Sequence, residues 1–200
     1  MNPSTSCLPF ASSRTQIAIG ASLLALMICT RGHHFASIDA LPSASWAVFF
    51  LAGALLRARW MFAVTFVLAS ALDWGSYAAG TISDWCLSPA YWALLPAYGS
   101  LWLAGRVYAR MHREEWPTIA RLVFVLIVAA FVAYLISGGC YYALSGHYTP
   151  TFAGFLPRIA MYYPRALGTL AGYVASAFAL LAAMRMLARA TSAPAPQVRA

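Results

Sequence analysis

The sequence predicts an all-α integral membrane protein: a six-transmembrane-helix bundle with both termini cytoplasmic. Three observations predict it. Of 200 residues, 62% are hydrophobic and only 9% are charged, and a soluble chain of this length has too little interior to hide so much apolar surface. Apolar runs near the length of a bilayer span recur along the chain, divided by short polar segments. The basic residues are all Arg and collect in alternate gaps between those runs.

A helix needs roughly 20 apolar residues to cross the hydrocarbon core. Residues 1–14 form a flexible cytoplasmic tail, residues 15–190 a single six-helix membrane domain, and residues 191–200 a second flexible cytoplasmic tail with Ala-Pro repeats. Helix one is expected from Thr15 to Thr30. Its Arg14 start and apolar body have the polarity of a secretory leader. No small-x-small cleavage site follows, and Ile28 stands before Cys29 where a lipoprotein signal needs a small residue, so the helix reads as retained. Helix two is expected from Pro42 to Leu56, with Pro42 in its first turn, and helix three from Trp60 to Ala79. Helix four is expected from Pro89 to Met111 with a kink at Pro96. Helix five is expected from Pro117 to Leu144, its outer end loosened by Gly138-Gly139. Helix six is expected from Pro164 to Ala190. Helices one and two are short for a span.

With the N-terminus in the cytoplasm, Arg14, Arg57, Arg59, Arg106, Arg110, Arg113, Arg121, Arg185, Arg189 and Arg199 fall inside, and only Arg31, Arg158 and Arg165 outside. The net charge of +8 therefore reflects membrane orientation and not nucleic acid, since no basic face interleaved with aromatics is present. The outer half also gathers Asp39, Asp73, Asp84, His33, His34, His147, Cys86 and Cys140, together with most of the Trp and Tyr residues. Any chemistry is expected at that external face. The inner Glu114-Glu115 pair reads as a solvated surface.

Asp73 lies about 13 residues into helix three, roughly 20 Å along a core of roughly 30 Å. A carboxylate at that depth needs a partner or a polar cavity. Arg158 and Arg165 are the expected partners, and a structural ion pair and a functional site remain equal readings. Cys86 sits in the loop Gly80 to Pro89 beside Trp85. Its thiolate is a soft metal ligand and a nucleophile; the other readings are a disulfide to Cys140 or an idle thiol. Cys7, Cys29, Cys86 and Cys140 match no zinc or CxxC spacing. His33, His34 and His147 read as hydrogen-bonding residues of an external pocket ahead of a metal site. The stretch Thr149 to Arg165, broken by Pro150, Pro157 and Pro164, reads as too polar to span, and as either a lid or a connector. No Ser-His-Asp arrangement, HExxH or nucleotide-binding motif is present.

Three stretches carry a family resemblance: His34-Phe35-Ala36-Ser37-Ile38-Asp39-Ala40, Ala71-Leu72-Asp73-Trp74, and Asp84-Trp85-Cys86-Leu87-Ser88-Pro89-Ala90-Tyr91-Trp92. With six short helices and an outer aromatic cup, the chain resembles the BtuM family, cobalamin-specific S-component-like proteins of the ECF-type vitamin transporter group. The resemblance covers roughly Thr15 to Ala190, and Trp85 to Pro89 is its most specific part. It implies cobalamin or corrinoid binding and uptake across a bacterial cytoplasmic (inner) membrane. The ligand would be captured on the periplasmic or exterior side, with Cys86 as axial cobalt ligand. It implies that Trp85, Tyr91 and Tyr162 cover the corrin, that Tyr hydroxyls and outer Arg residues such as Arg158 bond its amides or phosphate, that Asp73 orders the cavity or accepts from a corrin amide, and that His34 belongs to the binding site. Removal of cyanide from cyanocobalamin through Cys86 would be a side activity. The chain would have no cofactor of its own; cobalamin would be its transported ligand, membrane lipid its surroundings, and a shared ECF energising module a partner, or none. Ala21 and Ala25 fit the spacing of the helix-one face that meets such a module, a spacing common in membrane helices. The competing expectations are an S-component for another small vitamin and a small membrane enzyme acting on lipid at the outer face.

Overall fold

The computed structural model describes residues 12–31, 41–80, 89–113, 115 and 117–191. Within them the chain is all α-helical. The helices are α1 (Ser13–Arg31), α2 (Ser45–Leu55), α3 (Met61–Ala78), α4 (Leu94–Met111), α5 (Pro117–Leu144) and α6 (Phe152–Thr191), with a 3-10 helix, Pro89–Ala93, leading into α4. Four stretches are long and apolar enough to cross a membrane: Ser13–Arg31, Met61–Ala78, Pro117–Leu144 and Phe152–Leu187. α5 and α6 turn Phe124, Ile127, Val128, Leu180 and Leu187 outward, an arrangement that suits lipid and not water.

α2 is the centre of the bundle. A helix apolar on every side belongs inside a protein, and all of Ala47 to Leu55 is buried. At 11 residues it is about 16 Å long, half a hydrocarbon core, so it fills the bundle and does not span by its own length. Its tightest neighbour is α4, through two glycines used reciprocally. A Cβ at Gly53 would fall on the Trp102 carbonyl oxygen, and one at Gly105 on the Phe50 carbonyl oxygen. The two backbones touch where neither carries a side chain.

The short helix leaves carbonyls that water cannot reach, and other helices satisfy them. The Gln16 side chain donates to Leu55 O at 2.9 Å and accepts from Arg57 N at 2.8 Å. Arg106 donates to Leu56 O at 2.8 Å while its guanidinium stacks 5.0 Å from the Trp102 ring. These bonds define one end of the bundle. Arg14, Arg57, Arg59, Arg106, Arg110, Arg113, Arg121 and Arg185 lie toward it, and Arg31, Arg158 and Arg165 toward the other.

The helices end where the chain changes chemistry. α3 stops before Gly80 at φ +69°, and α5 stops just before Gly146 at φ +75°, backbone angles that glycine adopts without strain. α5 starts at Pro117, whose missing N–H costs nothing in a first turn.

Several expected boundaries shift. α2 begins at Ser45, leaving Pro42 outside it. Pro96 falls in the first turn of α4, where no bond is lost, and produces no break there. Gly138-Gly139 do not loosen α5, which continues to Leu144; Gly139 instead faces the Phe155 ring. The largest change concerns Thr149 to Arg165. From Phe152 this stretch is helical and continuous with the sixth helix, giving α6 40 residues with Pro157 and Pro164 inside. Two tyrosines tie it to α5: Tyr134 of α5 donates to Arg158 O at 3.0 Å, and Tyr163 of this stretch donates to Ile127 O at 3.0 Å.

Candidate functional site: a charged hub beneath an aromatic cavity

At the Arg-poor end, five elements meet on one ion pair. Arg31, the last residue of α1, donates from Nε to Asp73 Oδ1 at 2.8 Å and from Nη2 to Asp73 Oδ2 at 2.6 Å. Its Nη1 donates to Ser45 Oγ at 2.6 Å and to Tyr98 OH at 3.1 Å. From the 3-10 helix, Tyr91 OH donates to Asp73 Oδ2 at 3.0 Å. α1, α2, α3, α4 and the 3-10 helix are thereby tied through side chains that exclude water, Arg31 and Asp73 each being 6% exposed at the side chain. Two parallel charge-assisted bonds are the strong form of this interaction, and an ionisable residue at membrane depth is tolerated in this paired form.

Asp73 therefore has its partner in Arg31, which replaces the expected Arg158 and Arg165. Arg158 instead stacks over aromatic rings, 3.8 Å from the Tyr148 centroid and 5.4 Å from that of Tyr142. Arg165 lies on α6, away from the carboxylate and facing a cavity.

That cavity, of about 560 Å³, adjoins the hub, and Ser45 and Tyr98 belong to both. Trp46, Tyr98, Tyr134 and Tyr162 give it aromatic walls, and Ser43, Ser45, Thr169 and Arg165 give it polar groups. Its volume lies within the range of small-molecule pockets. Tyr98 is fixed by stacking on Phe49 with ring centroids 4.3 Å apart, and Pro42, also in the lining, accepts from Tyr173 at its carbonyl at 2.7 Å.

The structure thus brings Asp73 and Tyr91 together in the hub and puts Tyr162 in the cavity wall. Arg158 lies outside that wall. Cys86, Trp85 and His34 lie outside the described residues, as do His33, Asp39 and Asp84. The segment carrying Cys86 leaves the described structure at Gly80 and returns at Pro89, two residues before Tyr91. His147 packs near the rings of Tyr141 and Tyr148 at the end of α5. Among the described residues, no three His, Cys, Asp or Glu side chains gather as a metal site would need.

Sequence reasoning missed Ser45, Tyr98, Tyr134 and Thr169. A signal was present for the two tyrosines, since a phenol inside an apolar helix needs a partner for its hydroxyl. Both Asp73 oxygens are engaged within the protein, so this carboxylate acts as an anchor and not as a free base.

No protein-family model matches the chain, and no curated protein matches it.

Proposed function

We propose that this chain binds a corrinoid of the cobalamin type at the external face of a bacterial cytoplasmic membrane and mediates its uptake, with Cys86 as axial ligand to the cobalt. One observation carries the reading. A cavity of about 560 Å³ with aromatic walls lies at the bundle end where Tyr91, five residues after Cys86, is fastened to Asp73. A corrin is a broad ring, apolar at its centre and fringed by amides, and flat aromatic walls with hydroxyls at their edges are the surface it requires. Tyr162 and Trp85 would cover the ring, and His34 would meet its polar margin. Asp73 serves indirectly, by ordering the hub.

The concentration of Arg at the opposite end supports an orientation with that end, and both termini, in the cytoplasm. Thiolate sulfur suits Co(III) as a soft donor. Donation to one axial face would labilise cyanide on the other. Cyanide would leave as the anion with its electron pair, the cobalt oxidation state unchanged, which accounts for decyanation as an accessory activity. Ala21 and Ala25 are exposed on α1 or nearly so, leaving that face open to an energising partner.

A second reading is an S-component for a smaller vitamin, favoured by a cavity volume within the range of drug-sized ligands. Equilibrium dialysis of the purified full chain separates the two. Stoichiometric retention of cyanocobalamin is expected. Retention of flavin, thiamine or biotin with no corrinoid would replace the first reading by the second.

A further inference from the structure

The cavity-lining face of α6 carries polar groups that the cobalt–sulfur reading, which uses only the ring of Tyr162, leaves unassigned. Tyr162, Arg165, Ala166 and Thr169 all line the cavity, and their spacing of three, four and seven residues puts them on one helix face. Among the described residues, Arg165 makes no hydrogen bond or ion pair, and neither the Tyr162 hydroxyl nor the Thr169 hydroxyl has a protein partner. The other two cations at this end are engaged: Arg31 is neutralised by Asp73, and Arg158 lies over the Tyr148 ring. The cavity thus holds one uncompensated positive charge, flanked by two hydroxyls one helical turn to either side. Ala166 lies next to Arg165 in the lining, and Trp46, Tyr98 and Tyr134 are its other aromatic members.

We propose that this α6 face is an anion subsite, in which Arg165 takes the phosphate or carboxylate oxygens of a ligand whose planar body rests on the aromatic walls. A guanidinium is a planar fork of donors matched to two such oxygens, and Tyr162 and Thr169 donate to those the fork leaves free. The subsite deepens the corrinoid reading and rests on it for the identity of the ligand: cobalamin carries one phosphodiester, in its nucleotide tail, and that group is what Arg165 holds.

The test compares cobalamin with cobinamide, the corrinoid that lacks the phosphate-bearing tail, on the full-length wild-type protein and on Arg165→Ala and Arg165→Lys. Arg165 is exposed, so neither variant should disturb folding, which the elution profile checks. Arg165→Ala is expected to weaken cobalamin about tenfold or more, as loss of a charge-assisted bond does. Cobinamide should change less than about twofold in the same variant, and Arg165→Lys should recover part of the loss. An equal loss for both ligands, or none for cobalamin, overturns the subsite. If neither corrinoid binds wild type, the corrinoid reading fails and the subsite is read from a second pair, riboflavin 5′-phosphate against riboflavin. A loss in Arg165→Ala confined to the phosphorylated compound upholds it. An equal effect on both, or no binding of either, overturns it.

Discussion

Arg31 at the end of α1 and Asp73 in α3 face each other through two parallel hydrogen bonds of 2.8 and 2.6 Å, although 42 residues separate them. Ser45, Tyr98 and Tyr91 complete the set. Removing one member strands a buried charge, whereas removing both strands none. Asp73→Leu or Arg31→Met alone should therefore lower stability by about 3–5 kcal/mol, and the double variant by much less. Thermal unfolding of the four proteins in one detergent reads the difference. Additive losses would show that the pair is not coupled.

Tyr91 links the hub to the segment that carries Cys86. Tyr91→Phe removes only the hydroxyl that donates to Asp73 Oδ2. The expected outcome is corrinoid affinity reduced about tenfold or more, the size of one hydrogen bond to a charged group, with the spectrum of the bound ligand unchanged. A changed spectrum would mean that Tyr91 touches the ligand directly.

The reciprocal glycines of α2 and α4 give a prediction independent of any ligand. Gly53→Ala and Gly105→Ala each drive a methyl group into a backbone carbonyl, and should cost about 1–3 kcal/mol. Gly75→Ala and Gly172→Ala meet nothing within 4 Å and should leave the unfolding midpoint equal or higher. A uniform response at all four positions would contradict the α2–α4 crossing.

Orientation is open to a labelling experiment in whole cells. In a background free of native cysteines, Ala143→Cys at the Arg-poor end should react with a membrane-impermeant maleimide. Ser13→Cys at the Arg-rich end should react only after the cells are opened. The reverse pattern would invert the assignment of the two ends.

The helical, membrane-compatible character of the chain was legible because it follows from composition and the length of apolar runs, which act locally. Helix limits were legible where a residue imposes them, as Pro117 and Gly80 do. α2 was harder. Its apolar sequence is that of a span, and only the packing of neighbours around it shows a buried central helix. Pro157 and Pro164 misled for a related reason: proline disfavours a helix locally, but the bonds that tie this stretch to α5, from Tyr134 to Arg158 O and from Tyr163 to Ile127 O, cannot be seen in the α6 sequence alone.

In the site, Asp73 stood out because a carboxylate in an apolar run needs explaining. Its partner did not, because helix one was expected to end at Thr30, one residue short of Arg31, which then read as part of an outer loop. Tyr91 and Tyr162 were singled out as ring-covering aromatics; the first is a hydrogen-bond donor to the hub and the second lines the cavity. The alignment of Tyr162, Arg165 and Thr169 on one face became visible only once α6 extended back through Pro164 to Phe152.

The central claim is a bond between the Cys86 thiolate and the cobalt of a captured corrinoid. The most direct measurement is the visible spectrum of cyanocobalamin bound to purified wild type and to Cys86→Ala. The account predicts a stable complex with a shifted corrin spectrum in wild type, and loss of that shift in Cys86→Ala. Binding with identical spectra in the two proteins, or no binding in either, would contradict it.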